Sequence, residues 1–167
     1  MKRILKPIDD VSVFLSLYHT LMRSRLEYCS FIWSPKGQAN RDKLERVQKK
    51  FIKFLSFKSK LLVEMSYEEK CQHFNLSSLE ARRDMLDLRM VNKILNDKID
   101  CPELLSRIGF GVPNLRSRRR LFVSNHRLRV TESSPISRST TLANNVDLDV
   151  FSPVAQFRKN SASYFTF

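Results

Sequence analysis

Glycine is scarce in this sequence: there are three in 167 residues, at Gly37, Gly109 and Gly111. A glycine-rich phosphate loop is therefore excluded, because it needs several close glycines to bring backbone N–H groups onto a nucleotide. A turn-dense β sandwich is disfavoured for the same reason. Cysteine is equally sparse. Cys29, Cys71 and Cys101 are odd in number and widely spaced, and His19, His73 and His126 make no ligand array with them. Cys71-x-His73 is the nearest approach to a metal motif, and two ligands do not close a zinc site. Structural thiols in a reducing compartment are the expectation. No apolar run approaches the 18 residues a membrane span requires. Lys2-Arg3 precede a short apolar run, but Pro7, Asp9 and Asp10 interrupt it and no small-residue cleavage site follows. The expected location is intracellular, cytoplasmic or nuclear, without a membrane partner. Acid is the last deficit: 17 Asp and Glu face 30 Lys and Arg, giving a formal charge of +13 and a pI near 10.1. Such a balance selects a polyanionic partner, most simply nucleic acid.

What is present is helical periodicity. From Asp10 to about Glu27, apolar residues fall at Val11, Phe14, Leu15, Tyr18, Leu21, Met22 and Leu26, the spacing of a helix with one buried face. After the turn Ser34-Pro35-Lys36-Gly37, Asn40 is expected to cap a second helix running to about Phe57, with Leu44, Val47, Phe51, Phe54 and Leu55 as its stripe. Arg41–Glu45, Asp42–Arg46 and Glu45–Lys49 are expected i,i+4 pairs. Residues 41–60 hold eight Lys/Arg against two acids, so this helix reads either as a solvated face of a core helix or as a polyanion-facing one. Ser66-Tyr67-Glu68-Glu69 is a capping-box pattern opening a short helix to Phe74. Ser77-Ser78-Leu79-Glu80 repeats it and opens the strongest helix, to about Asn96. There Leu79, Leu86, Met90 and Ile94 line one side, and Ala81, Met85, Leu88 and Leu95 the adjacent one. So wide an apolar stripe predicts a central place in a bundle. Pro102 starts a further short helix, closed by Gly109.

Beyond Gly111 the texture changes. Residues 112–131 carry six arginines and no acid, namely Arg116, Arg118, Arg119, Arg120, Arg127 and Arg129. Leu121-Phe122-Val123 suits a brief strand or a docking segment. Ser, Thr and Asn then dominate to Asn145, and residues 112–150 are expected to be extended. Ser152-Pro153 opens a last short helix to about Asn160, anchored by Phe157. The fold class predicted is thus mainly α: a small helical bundle over residues 1–110, followed by an extended, Arg-rich, poorly structured segment over 111–167 that ends in a short helix.

One set of motifs carries identity. Leu17, Tyr18, Leu21, Arg23, Ser24, Leu26, Glu27, Tyr28, Ser30, Trp33 and Pro35 are followed by Glu45-Arg46-Val47-Gln48 and Phe51. Further on come Leu79-Glu80-x-Arg82-Arg83, Arg120-Leu121-Phe122 and Ser134-Pro135-Ile136-x-Arg138. This order resembles the region after the polymerase palm in reverse transcriptases of non-LTR retrotransposons, especially the jockey-like elements of arthropods, where an LY-x-x-L-x-R-S-x-LEY-x-S-x-x-W-x-P stretch precedes an ERVQ-x-x-F helix. The resemblance covers most of the chain. It implies a thumb and a downstream helical region that hold template RNA and nascent RNA–DNA duplex. The chain departs from the wider pattern in lacking a Cys-Cys-His-Cys knuckle.

The palm itself is not among these motifs. Metal-assisted polymerisation needs paired aspartates at a strand turn. The only adjacent pair, Asp9-Asp10, follows Pro7 and precedes a helical pattern, the setting of a helix N-terminus. A non-catalytic fragment or relic of an RNA-directed DNA polymerase is the resulting expectation, with no cofactor. Its candidate phosphate contacts are Arg41, Lys43, Arg46, Lys49, Lys50 and Lys53 on the second helix, together with Arg116, Arg118, Arg119, Arg120, Arg127 and Arg129. No base-reading motif accompanies them, so binding should follow backbone and shape. The alternative is a helical protein-interaction domain, built to pack on a missing palm or to self-associate.

Overall fold

A computed structural model describes residues 10–59, 64–111, 121–122, 134–146 and 148–165. The described chain is mainly helical. Helix α1 (Val11–Leu17) runs without a break through a π-helical turn (Tyr18–Arg23) into α2 (Ser24–Glu27). A short α3 (Ser30–Trp33) follows, then the long α4 (Gln38–Ser59), α5 (Tyr67–His73), α6 (Leu79–Leu95) and α7 (Pro102–Leu105). Strands β1 (Gly109–Phe110) and β2 (Leu121–Phe122) form a two-residue antiparallel pairing, Gly109 opposite Phe122 and Phe110 opposite Leu121. Helices α8 (Pro135–Asn145) and α9 (Val154–Phe165) complete it.

Local chemistry accounts for these boundaries. The Asp10 carboxylate accepts from the Ser12 backbone N–H at 2.8 Å and caps α1, as expected for a helix N-terminus. Ser66 and Glu69 form the reciprocal capping box at the start of α5; the expected Ser77–Glu80 box does not form, because the Ser78 hydroxyl caps α6 through Ala81 N and Glu80 pairs with Arg41. Helix α5 ends with Asn75 in the left-handed region (φ 52°), the Leu76 N–H bonding to the Cys71 carbonyl and the Asn75 N–H to the Gln72 carbonyl. Helix α6 ends identically, with Asp97 at φ 55°, Lys98 N–H to Lys93 O and Asp97 N–H to Ile94 O. These are Schellman motifs. In a glycine-poor chain the left-handed position falls to Asn and Asp, whose short polar side chains tolerate it best.

Several expectations are corrected. The first helix is not uniformly α. Its π turn takes more residues per turn, so Leu21 is 50% exposed while Arg23 and Glu27 become half-buried. Asn40 does not cap α4. The helix begins at Gln38, and the Gly37 carbonyl accepts from Asn40 N and Arg41 N. Gly109 closes no helix; it lies in β1, where a Cβ would come 2.8 Å from Phe122 Cβ. The last helix reaches Phe165, beyond the expected end near Asn160. Residues 112–150 are not extended throughout, because Pro135–Asn145 is a helix capped by the Ser134 hydroxyl.

Helix α6 is central, as its wide stripe predicted. On one side Phe14, Tyr18, Phe51, Ile52, Leu55, Cys71, Phe74 and Leu76 from α1, the π turn, α4 and the α5 region form a first apolar cluster. Tyr18 stacks on Phe51 at 4.4 Å between ring centroids, and Phe14 meets Phe54 edge-on at 5.1 Å. A second cluster gathers Leu88, Val91 and Ile94 of α6 with Ile108, Leu121, Ile136, Val150 and Phe157. The C-terminal helices α8 and α9 therefore pack on the latter half of α6.

Candidate nucleic-acid interface and the polar seam beneath it

Between the two apolar clusters lies a seam of ionised and amide side chains. Gln48 is fully buried on α4. Its Oε1 accepts from the Tyr18 hydroxyl at 2.5 Å, and its Nε2 donates to the Ser77 carbonyl at 3.1 Å and the Tyr67 hydroxyl at 3.3 Å. Glu45, one turn earlier, accepts from the Tyr67 hydroxyl at 2.7 Å and from the Leu79 N–H at 3.1 Å, completing the N-terminus of α6. None of the expected i,i+4 ion pairs along α4 forms among the described residues: Glu45 turns to Tyr67 and Leu79, and Asp42 accepts from Gln38 of the same helix at 2.9 Å. Arg41 reaches Glu80 at 2.5 Å instead of Glu45. Burial raises the hydroxyl pKa values of Tyr18 and Tyr67 well above the ordinary tyrosine range, so both remain donors.

Farther along α6, Arg82 forks onto both oxygens of Glu27, with NH2 at 3.0 Å from Oε2, and Arg23 lies 3.6 Å from the same carboxylate. The buried Asp87 accepts from Arg138 Nε at 2.8 Å, and Arg138 NH2 also donates to the Phe31 carbonyl at 2.7 Å. Burial pushes the Asp87 carboxyl up, and Arg138 opposes that shift. Asp84 is raised to about 6, first by burial and then by the neighbouring charges of Asp87 and Glu80. Arg83 is 1% exposed, and its terminal guanidinium nitrogens make no hydrogen bond among the described residues. Burial lowers its pKa, while the nearby carboxylates of Glu45, Glu80 and Asp84 hold it charged. Asn92 donates to the Val150 and Ser152 carbonyls and fastens α9's approach to α6.

The seam explains what the polar motif residues do in this fold. Glu27, Glu45, Gln48, Glu80, Arg82 and Arg138 are all internal ties between helices. Sequence reading does not single them out as structural, because a lone Glu or Gln has no periodicity. The one available signal is their place on otherwise apolar faces.

The outer face of α4 is different. Lys43, Arg46, Lys49, Lys50 and Lys53 are exposed, and Lys43, Arg46, Lys50 and Lys53 recur at spacings of three and four, which places them along one side of the helix. Among the described residues Arg46, Lys50 and Lys53 make no ion pair, and Lys43 Nζ approaches only Asn40 Oδ1, at 3.4 Å. Lys49 Nζ sits 5.0 Å from the centre of the Tyr67 ring. Arg41 is set apart from this row by its pairing with Glu80. Of the arginine-rich candidates, Arg116, Arg118, Arg119, Arg120, Arg127 and Arg129 lie outside the described residues, as does Asp9.

The Cys71-x-His73 pair does not converge: Cys71 is buried, with its thiol pKa pushed up by burial, while His73 is exposed on the other side of α5. No helix among the described residues is long and apolar enough to cross a membrane. No protein-family model matches the chain, and comparison with curated proteins and with solved structures returns no match.

Proposed function

We propose that this chain is a non-catalytic nucleic-acid-gripping module, equivalent to the post-palm helical region of a non-LTR retrotransposon reverse transcriptase. It holds RNA or RNA–DNA duplex through the phosphates. The observation that carries this reading is the row Lys43, Arg46, Lys50 and Lys53 on a 22-residue helix, cationic and without internal acid partners among the described residues. From Lys43 to Lys53 the row covers about 15 Å of helix axis at roughly 1.5 Å per residue. Lysine point charges and arginine forks contact phosphate without reading sequence. The motif resemblance supplies the parent class, an RNA-directed DNA polymerase whose palm aspartates this chain does not carry.

The test is the salt dependence of RNA binding. Binding of unrelated RNA sequences should weaken together as salt rises. Changing Lys43, Arg46, Lys50 and Lys53 to Gln should flatten the log–log slope by about 0.7 to 0.9 for each phosphate no longer engaged. A wild-type slope near zero would refute the proposal. A second reading, a protein-interaction domain, is favoured by one observation: Ile32 (70% exposed) and Phe122 (62% exposed) border an open groove of about 580 Å³ with Phe31, Met90, Leu104 and Ile136. Apolar association there would persist at high salt.

A further inference from the structure

The outer face of α4 ends in an aromatic. Phe57 is 78% exposed, one turn beyond Lys53, and it continues the spacing of four and three residues set by Arg46, Lys50 and Lys53. Beside it α4 and α5 enclose a groove of about 350 Å³ lined by Ile52, Ser56, Phe57 and Tyr67 together with Lys49, Lys53 and Lys70. An apolar ring this open costs solvation, and its neighbours in the groove are three lysines, Ser56, Tyr67 and the buried Ile52. Tyr67 is not its equivalent. The Tyr67 hydroxyl is held by Glu45 and its ring face by Lys49, so Tyr67 fixes the groove wall and positions the Lys49 ammonium at the mouth. The groove therefore offers one uncovered ring and two α4 ammonium groups on one rim.

We infer that this groove takes an unpaired nucleotide segment, one base stacking on Phe57 while the flanking phosphates meet Lys49 and Lys53. Base–aromatic stacking is tolerant of sequence and requires a base face, which a duplex withholds inside its own stack. The groove thus adds a preference for single strands to a face that otherwise holds any phosphate backbone. This inference rests on the nucleic-acid reading of α4 and assigns part of that face to a single strand.

Anisotropy titrations with a labelled oligouridine, an abasic strand of equal length and a short RNA hairpin duplex test it. Oligouridine should bind more tightly than the abasic strand. Phe57→Ala should weaken oligouridine about 5- to 100-fold, down to the level of the abasic strand. Duplex affinity and the salt slope should stay unchanged, and Phe57→Trp should restore binding. Lys50→Gln, outside the groove but on the cationic row, should weaken strand and duplex alike. If the wild type binds oligouridine and Phe57→Ala leaves that affinity intact, the groove assignment falls and the phosphate grip stands. If the wild type binds neither strand nor duplex, both fall. If Phe57→Ala alters only self-association, measured by sedimentation, Phe57 is a protein contact and the inference is overturned.

Discussion

Neighbouring positions on one helix meet opposite fates. On the inner side of α4, Arg41, Glu45 and Gln48 are bonded to the π turn, α5 and α6, while on the outer side Arg46, Lys50 and Lys53 face away without ion pairs among the described residues. Each side carries an arginine, Arg41 on the inner and Arg46 on the outer. What separates them is the position of acids on other helices: Glu80 lies within reach of Arg41, and among the described residues no carboxylate pairs with the outer row. A count of charges along a sequence therefore overstates the cations free for a partner wherever a second helix brings acids alongside.

The sharpest break in this comparison should come from Asp87. Asp87→Ala removes the buried carboxylate under Arg138 and leaves that guanidinium with the Phe31 carbonyl. A loss of about 3 kcal/mol is expected, read as a lower urea midpoint with unchanged slope. Next, Glu45→Ala and Arg46→Ala compare adjacent residues on opposite sides of α4. The first strips the Tyr67 hydroxyl and the α6 N-terminus of their acceptor and should cost about 1 to 3 kcal/mol. The second should change stability by less than about 0.5 kcal/mol. Equal losses would erase the distinction between the two faces.

Asp84 sharpens the comparison through pH. Its carboxyl is raised to about 6 by burial and then by Asp87 and Glu80. From its unfolded value near 3.8 up to about 6, the folded state binds more protons than the unfolded one. Stability therefore falls as pH rises through that window and is level above it. Asp84→Asn should remove this contribution and raise stability at neutral pH by about 1 to 2 kcal/mol once solvent screening is allowed for. The smallest stability effect belongs to the outer row. Changing Lys50 and Lys53 to Gln should leave the thermal midpoint nearly unmoved while weakening RNA binding, measured on the same preparation.

How far the site is legible in the sequence follows from the same division. The exposed face of α4 is legible, because cations at three- and four-residue spacing keep their relation whatever the helix packs on. The inward role of Glu45 is not, since its partners lie 22 and 34 residues away. Helix α8 is hidden for another reason. Its buried residues include Ser137, Ser139 and Thr140, and Ser139 and Thr140 return their hydroxyls to the Pro135 and Ser137 carbonyls. Their polarity is satisfied within the helix and simulates a loop composition. Ser134-Pro135, a cap followed by a first-turn proline, is the signal available.

By itself, the sequence determined the helical class, the capped starts of α1 and α5, the central place of α6 and the cationic side of α4. Each depends on residues within a turn or two, so side-chain period and capping chemistry suffice. Only the tertiary structure decided which charges are internal. It turned Arg23 and Glu27 inward through a π turn, paired Arg41 with Glu80 and Arg138 with Asp87, and gathered two apolar clusters about a polar seam. Those outcomes depend on which helices lie side by side, and a buried charge takes whatever partner the packing brings within hydrogen-bond reach.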